Sequence, residues 1–83
     1  MRPILPGMDA RLQVLAKLGK RLRETRTARG MSQEVLAQLA GLNRHYVNQV
    51  ECGRRNVSIL NLVKIAEALA VDLAVLMAGI SKK

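Results

Sequence analysis

Planar side chains that can form paired hydrogen bonds are concentrated in one short stretch of the chain, GLNRHYVNQVECGRRN at positions 41–56. Within six positions this stretch carries Arg44, His45, Asn48 and Gln49. A guanidinium or a carboxamide can make two parallel hydrogen bonds to the edge of a flat polar group. The chemistry that these residue types favour is therefore recognition of such an edge.

Signals for catalysis or for a metal site are weak. The chain has no Ser/His/Asp set, no glycine-rich phosphate loop and no paired carboxylates, so we expect neither an enzyme nor a bound cofactor. His45 is the only histidine, and the only cysteine, Cys52, lies seven residues further along the chain. A metal site needs more ligands than these two residues supply, and we expect Cys52 to be a reduced thiol without chemistry.

The chain is strongly basic, with a formal net charge of +8 from 14 basic and 6 acidic residues. Eight of the basic residues fall in positions 1–30, whereas positions 56–80 contain only one basic residue, Lys64. A concentrated positive charge favours a polyanionic partner, either a nucleic acid or an anionic membrane. The alternative is a solvated basic face, made of Lys17, Lys20, Arg21 and Arg23.

The aromatic content helps to choose between these partners. Residues 10–29 have the pattern of a basic amphipathic helix, which could lie on a membrane, but the chain lacks the Trp and Phe that anchor such helices. Tyr46 is the only aromatic residue. This disfavours RNA and single-stranded DNA, because their binding relies on aromatic stacking. Double-stranded DNA is the partner that we expect.

The length of 83 residues fits a single domain. A chain of this size buries only about 60% of the surface that its unfolded form exposes, so its core is thin. One cysteine cannot form an internal disulfide, no signal peptide is apparent, and the longest apolar run, Leu73 to Ile80, is too short to span a membrane. We expect a cytoplasmic protein with a disordered N-terminal lead over residues 1–8, one domain over 9–78 and a C-terminal tail over 79–83.

Apolar periodicity predicts an all-α fold of five helices. Leu15, Leu18 and Leu22 follow a helical stripe, which predicts a first helix over about residues 10–29 that ends at Gly30. Four shorter helices are predicted after candidate capping residues, which are Ser32, Asn43, Ser58 and Asp72. No segment alternates with period two for long enough to form a strand.

The second and third helices are joined by a turn that contains a glycine, an arrangement typical of a helix-turn-helix unit. Val47 and Val50 are expected to face the core. The side chains left on the outer faces of the third helix are then Arg44, His45, Asn48 and Gln49. The N-terminal part of such a helix reaches base edges in the major groove, where Arg suits guanine and Asn or Gln suits adenine.

From Met31 to Val71 the sequence MSQEVLAQLAGLNRHYVNQVECGRRNVSILNLVKIAEALAV resembles the Cro/C1-type (Xre-type) family of helix-turn-helix repressors. The features that match are Ser32-Gln33-Glu34, Leu36-Ala37, Gly41, Val47, Val50-Glu51, Gly53, Arg55-Asn56 and Leu62 through Leu69. The likeness runs from about Leu18 to Leu76 and implies a five-helix, lambda-repressor-like DNA-binding domain. The short chain, with Arg44 and Tyr46 ahead of Val50-Glu51 and Arg55-Asn56, also resembles the controller proteins of restriction–modification systems.

This resemblance implies roles for the planar side chains. Arg44 and His45 match base-reading positions, and Asn48 and Gln49 match positions that assist them. Gln33, at the start of the second helix, matches a residue that binds backbone phosphate and braces the base-reading residue.

The resemblance also implies phosphate contacts around the third helix. Asn43 matches a contact at the helix N-terminus, where exposed N–H groups and the helix dipole favour an anion. The loop after the helix matches a segment that grips the sugar-phosphate strand, through Arg54, Arg55 and Asn56. Tyr46 is expected either to pack on the core or to reach a phosphate. Arg26 and Glu51 match a structural ion pair between the first helix and the end of the third.

The function that these features predict is that of a transcriptional regulator, a repressor or a repressor–activator of its own operon, which binds an inverted-repeat operator as a homodimer. No domain for a small-molecule ligand is expected. The predicted dimer surface consists of Val71, Val75, Met77, Ala78 and Ile80, unless these residues only close the core of the monomer. The alternative function is an antitoxin or protein-binding module that uses the same fold to cover a partner protein.

Overall fold

The computed structural model describes residues 10–80 of the chain, and this part contains five α-helices. The helices are α1 (Ala10–Ala28), α2 (Gln33–Ala40), α3 (Arg44–Glu51), α4 (Ile59–Leu69) and α5 (Leu73–Met77). The predicted all-α fold is confirmed, and the described part contains no strand. The predicted lead over residues 1–8 and residues 81–83 of the predicted tail lie outside the described residues.

Polar side chains next to the helices explain where three of the helices begin. Ser32 Oγ accepts a hydrogen bond of 3.0 Å, Asn43 Oδ1 one of 2.8 Å and Ser58 Oγ one of 3.1 Å, each from the backbone N–H three residues further on. These N–H groups have no partner within their helices, so the caps stabilise α2, α3 and α4. Asp72 occupies the same position before α5, but its side chain makes no capping hydrogen bond.

The turn between α2 and α3 depends on Gly41. Its φ of 71° lies in the left-handed region, which a residue without a Cβ adopts readily. The Gly41 N–H donates to the carbonyls of Ala37 and Gln38, and the Leu42 N–H donates to the Ala37 carbonyl at 2.8 Å. Two of the carbonyls at the end of α2 are thereby satisfied, and the chain turns so that α3 packs against α2.

The hydrophobic core draws on every helix. The largest side chains that are completely buried are Leu22, Leu36, Val47, Val50, Ile65, Leu69 and Leu76. Each aliphatic side chain of this kind contributes roughly 1.5–3 kcal/mol relative to an exposed position. Because α2 and α3 share this core with the other helices, the helix-turn-helix unit cannot move as a separate body without exposing apolar surface.

The helices α1 and α3 approach each other closely at Gly19, which is buried on α1. A Cβ atom at this position would lie 2.5 Å from the carbonyl oxygen of Glu51 and 2.6 Å from that of Val50. Both oxygens belong to the backbone, so no side-chain rotation could relieve the contact. The absence of a side chain at Gly19 therefore allows the end of α3 to rest directly on α1.

Gly19→Ala is expected to lower the free energy of unfolding by about 1–3 kcal/mol, the range for overpacked sites. Helix propensity alone would predict the opposite sign, a gain of about 1 kcal/mol. Urea unfolding followed by circular dichroism distinguishes the two, with Lys20→Ala as the control because Lys20 is the exposed neighbour on the same helix. An unchanged or higher midpoint for Gly19→Ala would contradict this close approach of α1 and α3.

Candidate nucleic-acid interface

The helix α3 exposes a polar side because its apolar side is fixed in the core. Its two valines, three positions apart, are buried. Arg44 and His45 lie in the first turn and are exposed, whereas Asn48 and Gln49 lie further along the helix and are half-buried. The four planar side chains are therefore placed as the sequence predicted, with the two most accessible at the N-terminal end of α3.

A buried ion pair joins α3 to α1. Arg26 Nε donates to Glu51 Oε2 at 2.6 Å and Arg26 Nη2 donates to Glu51 Oε1 at 3.0 Å, with only 10% and 3% of the two side chains exposed. Arg26 Nη1 also donates to the Met31 carbonyl at 2.7 Å, in the turn between α1 and α2. Two parallel hydrogen bonds are the strongest arrangement for these two groups. One guanidinium thus connects α1, the following turn and the end of α3.

Gln33 extends this network from the ion pair to the outer side of α3. Its Nε2 donates to Glu51 Oε1 at 3.0 Å, and its Oε1 accepts a longer hydrogen bond of 3.4 Å from Asn48 Nδ2. An ionised carboxylate can only accept hydrogen bonds, so Glu51 determines which end of the Gln33 amide faces inward. On the side away from Glu51, Gln33 contacts Asn48, one of the two residues predicted to assist base reading.

The connector between α3 and α4 lies beside α3. The guanidinium carbon of Arg55 is 5.0 Å from the centre of the Tyr46 ring, which brings this loop arginine alongside the helix. We call the exposed polar residues of the start of α3 and of the connector the polar face; they are Asn43, Arg44, His45, Arg54, Arg55 and Asn56. The Arg55 side chain, predicted to bind phosphate, is thus close to the first turn of α3, where Arg44 and His45 are predicted to read bases.

Tyr46 packs on the core and also contacts α4. Its side chain is half-buried and lies against the hydrophobic core. Its hydroxyl oxygen accepts a hydrogen bond of 3.0 Å from Asn61 Nδ2. Sequence reasoning missed this contact, because no spacing rule relates a residue of α3 to a polar residue in the first turn of α4.

Arg21 of α1 and Arg29, which follows α1, bind carbonyl groups in or just after the C-terminal helices. Arg21 Nη1 donates to the Val75 carbonyl at 3.0 Å and Arg21 Nη2 to the Ala78 carbonyl at 3.2 Å. Arg29 Nη2 donates to the Ala70 carbonyl at 3.3 Å, at the end of α4. Arg21, which was predicted to lie on a solvated basic face, is thus half-buried and also binds the C-terminal segment. Carbonyls near a helix C-terminus lack helical partners and attract cationic donors.

The residues predicted to form a dimer surface differ in how far their side chains are exposed. Val75 and Met77 are each 41% exposed and Ala78 is exposed, whereas Val71 is half-buried and packs on the core. Ile80 is only 6% exposed and belongs to the core. Its assignment to the dimer surface needs correction, because in the monomer the chain returns to the core after α5. The members of the predicted dimer surface that are exposed, Val75, Met77 and Ala78, lie on α5 and just after it.

Further exposed apolar side chains lie on α4. Ile59 and Leu60 in its first turn are 59% and 71% exposed. No functional role was predicted for these two residues, although α4 carries apolar residues at more positions than one buried stripe requires. None of the helices in residues 10–80 is both long and apolar enough to cross a membrane.

The chain belongs to the helix-turn-helix family HTH_3, whose family model matches residues 22–76. The Cro/C1-type resemblance that the sequence predicted is confirmed by this match. The matched segment begins inside α1 and ends inside α5, so it contains all of α2, α3 and the connector. The residues of the polar face all fall within it.

Relatives of this chain are named as control proteins. Control protein C.MunI from a Mycoplasma species is 41% identical over 64 residues, which cover 77% of this chain and 84% of that protein. Control protein C.BamHI from Bacillus amyloliquefaciens is 44% identical over 55 residues, which cover 65% of this chain and 68% of that protein. Both likenesses cover more than two thirds of the relative's own length.

A similar crystal structure is that of the restriction–modification controller protein C.AhdI from Aeromonas hydrophila. It superposes with a TM-score of 0.74 and 56% sequence identity, over 75% of this chain and 94% of that chain. The protein described here is therefore a transcriptional regulator of the helix-turn-helix, controller-protein type. This is a family of regulators and not of enzymes.

Proposed function

We propose that the protein binds double-stranded DNA sequence-specifically, as a homodimer on an inverted-repeat operator, and regulates transcription from the cytoplasm as a repressor or repressor–activator of its own operon. The observation that carries this proposal is the placement of Arg44 and His45, which are exposed in the first turn of a helix whose opposite side is buried. The major groove of B-DNA is wide enough to admit an α-helix presented in this way.

Base reading is assigned to the planar side chains of α3. The Arg44 guanidinium can donate two hydrogen bonds to O6 and N7 of a guanine. His45 lies beside it in the first turn, so both can reach base edges where the N-terminal part of the helix enters the groove. Asn48 and Gln49 are less exposed and assist from the side, with Asn48 oriented by Gln33.

Phosphate binding is assigned to the residues on either side of α3. At its start, Asn43 caps the helix, and the exposed N–H groups there favour an anion. At its end, the connector offers Arg54, Arg55 and Asn56 to the DNA backbone. The net charge of +8 favours a polyanion from a distance, and each neutralised phosphate releases counterions.

Dimerisation is assigned to the exposed apolar side chains on α5, Val75 and Met77, together with Ala78. A chain this short has a thin core, and apolar surface that remains exposed favours association. A twofold axis near α5 relates two copies of α3, so that two half-sites of opposite direction are read. The operator is then an inverted repeat whose half-sites lie about 10 base pairs apart, centre to centre.

Arg44→Ala and Arg55→Ala are expected to weaken DNA binding in different ways. On a duplex that the protein has enriched from a random-sequence pool, Arg44→Ala should lose about 1–3 kcal/mol and relax the preference at one base pair. Arg55→Ala should weaken binding to the enriched duplex and to a scrambled duplex by a similar factor. It should also lower the slope of log K against log salt by about one. A salt titration of both variants on both duplexes measures this.

Two outcomes of that titration would contradict the assignment. If Arg44→Ala weakens binding to both duplexes equally, α3 is not the helix that reads bases. If Arg55→Ala weakens binding only to the enriched duplex, Arg55 reads base or groove shape, as an arginine in a narrow minor groove does. If the wild-type protein enriches no sequence from the pool, the proposed function itself is wrong.

Val75→Lys is expected to convert the protein from a dimer to a monomer, because it places a charge in an apolar contact. Light scattering at micromolar concentration measures the mass, and footprinting on the enriched duplex measures the number of half-sites protected. The matched control is Leu39→Lys, which introduces the same charge at an exposed apolar residue of α2. A wild-type monomer that protects one half-site, or a Val75→Lys dimer, would contradict the assigned surface.

A further inference from the structure

Arg55 lies in a loop, yet its side chain contacts a ring that is itself held by further contacts. Its guanidinium carbon is 5.0 Å from the centre of the Tyr46 ring. The hydroxyl of that ring accepts a hydrogen bond of 3.0 Å from Asn61 Nδ2. The backbone N–H of Asn61 in turn donates to Ser58 Oγ at 3.1 Å. The two helices that flank the connector, α3 and α4, thus both contribute to the support beneath the Arg55 side chain.

Tyr46 and Asn61 are more buried than the Arg55 side chain that lies over the Tyr46 ring. The Tyr46 side chain packs on the core, and Asn61 is half-buried in the first turn of α4. Arg55 is exposed, and a free arginine side chain samples many rotamers that binding must reduce to one. A guanidinium over an aromatic ring is attracted by the ring face, and at an exposed site this shifts an equilibrium by about two- to five-fold.

We propose that Tyr46 is a positioning residue for Arg55, and that Asn61 holds the Tyr46 ring in place. This inference rests on the proposed function, because it concerns how the connector meets DNA. The ring keeps the guanidinium beside α3 before DNA arrives, so that less side-chain freedom is lost when the DNA backbone is bound. Tyr46 then acts through Arg55, and its hydroxyl is not a phosphate ligand.

The shape of the two side chains supports this division of roles. A planar guanidinium can stack on a ring and still direct its N–H groups outward in its own plane. The Tyr46 hydroxyl points to α4, where it already accepts from Asn61. The side chain that remains exposed toward a ligand is that of Arg55.

Affinity measurements on DNA separate the two roles. Tyr46→Leu, which removes the ring, should weaken binding to the enriched duplex about two- to five-fold. Tyr46→Phe, which keeps the ring and removes only the hydroxyl, should weaken it less than about two-fold. In an Arg55→Ala background Tyr46→Leu should cost nothing more, since its effect passes through Arg55. In an Arg54→Ala background, the matched control, the full cost of Tyr46→Leu should remain.

A measurement without DNA tests the same contact. Protons of the Arg55 side chain above the ring should resonate upfield in the nuclear magnetic resonance spectrum of the free protein. The upfield shift should remain in Tyr46→Phe, reduced because this variant loses the Asn61 hydrogen bond, and should disappear in Tyr46→Leu. If Tyr46→Leu does not fold, Asn61→Ala replaces it, and we expect a reduced upfield shift and about two-fold weaker DNA binding that vanishes in the Arg55→Ala background.

Three results would overturn the inference. The first is a wild-type Arg55 side chain without an upfield shift. The second is a Tyr46→Phe variant that binds DNA as poorly as Tyr46→Leu, which would make the hydroxyl a direct ligand. The third is an equal cost of Tyr46→Leu with and without Arg55. The spectrum of the free protein does not depend on DNA binding, so this inference and the proposed function can fail separately.

Discussion

The Arg26–Glu51 ion pair is the interaction on which the placement of the recognition helix depends. Both charges are withdrawn from water, and a buried charge is tolerated only when its partner and its remaining hydrogen bonds are in place. The two side chains meet that condition through a bidentate contact, while Arg26 also binds the Met31 carbonyl and Glu51 also accepts from Gln33. The end of α3 is therefore fixed to α1, to the turn that follows α1 and to the start of α2. The lack of a side chain at Gly19 lets the backbones meet at the same crossing.

This internal constraint has consequences on the surface of the molecule. With its valines in the core and its last residue in the ion pair, α3 can present only one side outward, and that side begins with Arg44 and His45. Because the end of α3 is fixed, the connector starts from a defined position. From there Arg55 lies over the Tyr46 ring. A rigid helix with an ordered loop beside it loses little conformational freedom on binding, which is the general advantage of a preorganised surface.

Much of this structure could be predicted from the sequence because it depends on local interactions. The caps at Ser32 and Asn43 involve residues three positions apart, and the buried stripes follow the helical period. Contacts between distant residues were missed. The carbonyls that Arg21 binds lie 54 and 57 residues away, and nothing in the spacing indicates them. Ile80 was assigned to a dimer surface because hydropathy cannot show whether an apolar residue turns back to its own core or faces a partner. The ion pair was expected only through the family resemblance, because charge spacing alone does not select Glu51 as the partner of Arg26.

A double-mutant cycle on the ion pair tests this account most directly. The free energy of unfolding in urea would be measured for the wild-type protein, Arg26→Ala, Glu51→Ala and the double variant, with Arg23→Ala as an exposed arginine control on the same helix. We predict that each single variant loses about 3–5 kcal/mol, because it leaves an unpaired buried charge. The double variant should lose little more than either one, and the control should change by less than about 0.5 kcal/mol. Single losses under about 1 kcal/mol, or losses that simply add in the double variant, would contradict the central role of the ion pair.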